Sequence, residues 1–213
     1  MASSDLFLDQ TESQRRQAID AETVFLAWRA ARKAAAEVRG SMLWRELRGK
    51  PTLIRTSASG AQKSLGPRSD ATQAMFDSFM ARKASTHERL QSLKAQLVTQ
   101  QRLNKALRVG RVPNVVVDVI NALDDIGVQD HFLVVGTHAL YAYESAAGVR
   151  ITEEAMATRD VDMLFDTRKR IAFFTALKKL DSSLIGVLRK ADRSFEVVQD
   201  QHYTARNKDG FEV

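Results

Sequence analysis

The sequence predicts an α+β protein: a basic helical region with a small β-meander over residues 1–112, then a mixed sheet flanked by helices over residues 113–213. Three observations predict it. Apolar residues recur at helical spacing through most of the first half. Short β-branched runs bounded by Gly, Pro and Ser interrupt that rhythm at about 41–66. From residue 131 on, strand-like and helix-like runs alternate. A composition of 44% hydrophobic and 27% charged residues, with ten Gly and three Pro in 213 residues, excludes collagen-like, low-complexity and wholly disordered chains.

Residues 11–39 read as one long helix, with Val24, Leu26, Trp28, Ala31, Ala35 and Val38 as its apolar positions and Gly40 as its stop. Gly49-Lys50-Pro51 and Ser57-Ala-Ser-Gly60 divide the next stretch into the strands of the meander. Ser69 or Asp70 caps a helical segment over 70–107, with Ser85-Thr86 expected to break it in two. Gly110 to Asn114, around Pro113, is the clearest boundary, and a helix over 115–126 ends at Gly127. The order then becomes a strand at 132–135, a helix at 137–147 closed by Gly148, a strand at 160–165, and helices at 168–180 and 184–190. Strands at 195–198, 202–206 and 211–213 finish the chain.

Charge is unevenly spread. Residues 1–112 carry a net +10 and residues 113–213 a net −4, which makes a polyanion a candidate partner of the first half. Trp44 among Arg45, Arg48, Lys50, Arg55, Lys63 and Arg68 gives the meander the residues to lie along a phosphate backbone, or else a solvated hairpin with Trp44 packed on the adjacent helices. The absence of Cys excludes a disulfide framework, a thiolate nucleophile and a Cys-based zinc site. No apolar run is long enough for a membrane span and no secretory signal opens the chain, so a cytoplasmic location without a membrane partner is expected.

Two short segments carry the chemistry. In Val134-Val135-Gly136-Thr137-His138-Ala139-Leu140 a strand turns through Gly-Thr into a helix, presenting backbone N–H groups and a hydroxyl where phosphate oxygens bind well. In Thr158-Arg159-Asp160-Val161-Asp162-Met163-Leu164-Phe165 the two aspartates share one face of a strand, with roughly 6–7 Å between their Cα atoms. Two such carboxylates repel each other, and a divalent cation removes the conflict; oxygen donors of this kind suit magnesium. The alternative is a pair of solvated acids at a strand end with Arg159 as counter-charge.

Together, the Gly-Thr turn and Asp-x-Asp on the next strand resemble the polymerase-beta-type nucleotidyltransferase superfamily. The fuller run from Gly136 to Glu144, through Gly148-Val149 to Thr158–Asp162, looks like a bacterial nucleotidyltransferase-like family. The likeness extends upstream through Gln62–Ser69 and Gly110-Arg-Val-Pro113. The resemblance implies a nucleotidyltransferase-like sheet. It also implies Asp160 and Asp162 as metal-binding and catalytic acids, and Gly136 and Thr137, with Arg159, as nucleotide-binding residues. The cofactor implied is Mg2+ and the substrate a nucleoside triphosphate. An acceptor, RNA or DNA held by the basic half, would attack the α-phosphate. Superfamily members carry a third carboxylate on a later strand. Here it is Glu212, or an acid that follows Val213 in a longer parent protein, in which case 113–213 is truncated.

Other residues read more plainly. Gly49-Lys50 lacks the upstream glycine of a phosphate-binding loop. His87, His131, His138 and His202 lack zinc-ligand spacing, with His138 expected as a satisfied surface residue. Tyr141 and Tyr143 would pack or line the cleft, and Glu144 would be a solvated helix residue. Two other functions compete with the transferase: a non-catalytic nucleic-acid-binding protein of the same fold, and an interaction protein built on the long helices.

Overall fold

The computed structural model describes residues 7–151, 160–179 and 183–213. The chain divides into two units. One combines the N-terminal segment through Arg15 with Gly110–Val213; the other is Arg16–Val109. Among the described residues no helix is long and apolar enough to cross a membrane.

The unit from Arg16 to Val109 holds most of helix α1 (Glu12–Glu37), the antiparallel meander β2 (Ser41–Leu47), β3 (Lys50–Thr56) and β4 (Gln62–Pro67), and helix α2 (Asp70–Leu107). Its apolar interior is small: Ala31, Val38, Leu53 and Ile54 are buried. Polar side chains supplement it. Gln17, itself buried, donates from Nε2 to Gln100 Oε1 at 2.6 Å and Asn104 Oδ1 at 2.9 Å on α2.

Several cations of the meander are engaged within this unit. The Arg55 guanidinium lies 4.3 Å from the centre of the Phe79 ring and donates to the carbonyls of Arg39, Ser41 and Thr56. Arg68 lies over Trp44, whose ring is 6.0 Å from Phe76 on α2. Trp44 therefore packs on a helix, the second of the two roles its sequence setting allows. Lys83 adds a 2.6 Å hydrogen bond from Nζ to the Gly40 carbonyl.

Ser69 caps α2, in a reciprocal box: its hydroxyl accepts from Thr72 N–H and Thr72 Oγ1 accepts from Ser69 N–H. The break expected at Ser85-Thr86 does not occur, and α2 runs unbroken for 38 residues. Both hydroxyls donate back to the Arg82 carbonyl, which lets them sit inside a helix.

The other unit is the α+β part. Two elements were not foreseen: β1 (Phe7–Asp9) pairs antiparallel with β6 (Val149–Ile151). Helix α3 (Asn114–Asp125) places Val116, Val119, Ala122 and Leu123 on one buried face by their three- and four-residue spacing. That face joins Val187 and Leu188 of α6 (Leu184–Ala191), Phe173 and Leu177 of α5 (Arg170–Lys179), and Phe195 in a single core.

The sheet is antiparallel at both ends. β5 (Phe132–Val135) pairs with β7 (Asp162–Phe165), and β8 (Glu196–Val198) with β9 (Gln201–Arg206). Residues 211–213 join the two ladders. Glu212 bridges Asp160 in parallel and Arg206 antiparallel, and Val213 exchanges two 2.9 Å backbone bonds with Ala205. Mixed pairing of this kind is the predicted architecture.

Asp192 secures the segment that carries Glu212. Its carboxylate accepts from Ser194 N–H, Ser194 Oγ and Asn207 Nδ2 at 2.8–3.0 Å, while buried Asn207 accepts through Oδ1 from Asp209 and Phe211 N–H. The Ser194 backbone N–H, then its hydroxyl and the Asn207 amide, hold the Asp192 carboxyl below its ordinary value. A depressed carboxyl stabilises the fold above its unfolded pKa, and the contribution is lost as pH falls through the folded value. Asp192→Ala is expected to cost about 1–2 kcal/mol at neutral pH. The deficit relative to wild type should shrink below about pH 4, as read by chemical denaturation across a pH series.

Candidate active site

β5 leads straight into the corner. Gly136 adopts φ 65°, ψ −152°, a 3-10 turn covers Thr137–Ala139, and α4 (Leu140–Ala147) follows, closed by Gly148 in the left-handed region. Val135, the residue before the corner, is the register partner of Asp162. The approach is closer still at Gly136, where a Cβ would fall 2.5 Å from Asp162 Oδ2. The backbone conformation, which side chains disfavour, requires glycine, and the Asp162 carboxylate end would have to shift to admit a Cβ.

The two aspartates lie on one side of their strand. Val161 between them is 2% exposed and belongs to the core, together with Met163 and Phe165, while Asp160 and Asp162 are both exposed. That alternation is the period-2 pattern of an extended strand. Glu212 stands beside Asp160: its carbonyl accepts from Val161 N–H at 2.9 Å. Its carboxylate, however, is held by Arg206, with Nη2 at 2.5 Å and Nε at 2.7 Å. The structure therefore brings Gly136, Thr137, Asp160, Asp162 and Glu212 to one end of the sheet. Arg159 lies outside the described residues.

Residues 114–213 match the model of a family described as nucleotidyltransferase. This part of the chain is similar to that nucleotidyltransferase family. No curated protein and no solved structure matches the chain.

Among the described residues of this stretch, Asp160 and Asp162 present exposed carboxylates of the kind that suits a hard cation. Among the described residues no three His, Asp or Glu side chains converge to hold a metal ion. Two carboxylates are nonetheless a sufficient protein share for magnesium, which demands six oxygens but takes many of them from water and from nucleotide phosphates.

The sequence reading overlooked a buried ion pair behind the corner. Glu144 on α4 is 7% exposed and receives Arg111 through two nitrogens, Nη2 at 2.5 Å and Nε at 3.3 Å. It also accepts from Ile151 N–H at 2.5 Å, and Arg111 Nη2 donates to the Ile151 carbonyl. Glu144 is thus not the solvated residue expected. Nor is His138 a surface residue: it is 5% exposed, packs against Tyr141 and Phe211, and its buried Nδ1 has no hydrogen-bond partner among the described residues. The available signal was Arg111 inside the Gly110-Arg-Val-Pro113 run, an isolated cation flanked by apolar residues at a domain boundary.

Gly136→Ala should destabilise this domain by roughly 1–3 kcal/mol from the backbone conformation, and it should displace the Asp162 carboxylate. A thermal melt no lower than wild type would contradict the geometry.

Proposed function

We propose that this protein is a magnesium-dependent nucleotidyltransferase that moves a nucleotide from a nucleoside triphosphate to a nucleic-acid acceptor. The observation that carries the reading is the contact of the Gly136 corner with Asp162, because it lets one triphosphate meet the backbone N–H groups of the corner and the carboxylates together. Gly136 and Thr137 hold phosphate oxygens through the corner's amides and the Thr137 hydroxyl. Asp160 and Asp162, exposed on one face, supply the carboxylates that would hold a cation against the α-phosphate for in-line attack. An acceptor oxygen–phosphorus bond forms as the bond to pyrophosphate breaks. Magnesium, held by these two aspartates, would neutralise charge on the attacking and leaving oxygens.

The acceptor is assigned to the basic half by its net +10. Exposed Arg48, Lys50 and Lys63 on the meander, and Arg89, Lys94 and Arg102 on α2, are the cations available for that role. A second reading, nucleic-acid binding without catalysis, draws on one observation: Arg206 engages the only acid beside Asp160 on the neighbouring segment among the described residues, Glu212.

The experiment is transfer of label from α-32P nucleoside triphosphates to total RNA in magnesium. Asp160→Ala with Asp162→Ala should reduce incorporation by roughly 10²–10³-fold, with the melting temperature retained. Equal incorporation by the double variant overturns the assignment of these acids. Salt-sensitive RNA binding with no incorporation by wild type would favour the second reading.

A further inference from the structure

We infer that Arg111 and Glu144 are positioning residues: their buried pair clamps the helix behind the Gly136 corner to the end of β6, and so holds the phosphate-binding corner in place beside the acids. The inference rests on the transferase reading for its purpose, but its geometry stands apart from it.

Four contacts meet at this one point. Glu144 lies on α4, eight residues after the corner. Arg111 grips it with two guanidinium nitrogens, a fork that resists rotation where a single bond would not. Both partners then close on the backbone of Ile151, Glu144 accepting its N–H and Arg111 donating to its carbonyl. Ile151 is the last residue of β6, nine residues before Asp160 in sequence. One ion pair therefore fixes both the helix that leaves the corner and the end of β6.

The same side chains extend to the third acid. The Arg111 guanidinium lies 5.9 Å from the centre of the Tyr141 ring, Tyr141 is 5.7 Å from His138, and His138 is 6.0 Å from Phe211, the neighbour of Glu212. An ion pair kept only for stability has no need of this arrangement; well-packed apolar residues at such a site are often at least as stabilising. A bidentate pair that also holds both polar groups of one backbone residue gives fixed geometry.

The test is residue-level amide hydrogen exchange on the full chain with Arg111→Lys and Glu144→Gln. Lysine keeps the charge without the fork, and glutamine keeps the shape without the charge. The expected result is at least tenfold faster exchange over residues 137–147 and 162–165, with α3 and α6 as protected as in wild type. Faster exchange confined to the immediate neighbours of 111, 144 and 151 overturns the proposal, and so does an equal rise in α3 and α6, since either marks a merely structural pair.

Magnesium-dependent ATP binding adds a second measure. Affinity should fall at least tenfold in Arg111→Lys while the melting temperature stays within a few degrees of wild type, and unchanged affinity also counts against the clamp. If wild type binds no ATP, the transferase reading fails while the exchange result still decides the clamp.

Discussion

A main-chain corner pressed against a carboxylate governs the arrangement of this domain. Gly136 meets Asp162 only because β5 and β7 pair in one register, Phe132 with Phe165 through Val135 with Asp162. The core enforces that register. Val161, Met163 and Phe165 fill it from one face of the strand, so a slip of one residue would drive Asp162 inward and expose Val161. Hydrophobic burial, rather than any attraction between the corner and the acid, therefore sets the distance on which the chemistry depends.

Cations in the first half divide into two kinds. Arg55, Arg68 and Lys83 are drawn into the meander's junctions, over aromatic rings and onto carbonyls. With a small apolar interior, this unit relies on guanidinium stems and polar hydrogen bonds such as Gln17 to Gln100 and Asn104 to join its elements. A net charge counted from sequence consequently overstates what is available to a polyanion. The surface that could receive phosphate consists of the exposed cations of the meander and of α2.

Local rules recovered most of the architecture. Periodicity found α1, α3 and the meander, and Ser69 caps α2 as its position suggested. The misreadings of β1, β6 and Glu144 share a cause: each concerned a partner distant in sequence. β1 and β6 are three residues long and pair across about 140 positions, leaving no periodic trace. Ser85 and Thr86 resembled a break because their hydroxyls compete with helix bonds, yet both found Arg82 within the same helix. Glu144 resembled a surface residue because Arg111 is 33 positions away. The shared face of the two aspartates was legible for the opposite reason. Asp160 and Asp162 are set by strand alternation, and Gly136 by the turn it must make, both of which are local.

The domain treats its acids in two ways, and solvation separates them. Asp160 and Asp162 are exposed, so water supports their charge. Glu144 is buried, where an unpaired carboxylate would be strongly disfavoured, and Arg111 together with Ile151 N–H occupies its oxygens. Glu212 falls between these cases, half-buried and joined to an exposed Arg206. An ion pair that exposed contributes little net stability. The Arg206–Glu212 contact therefore differs from the Arg111–Glu144 pair, and it could rearrange without disturbing the core.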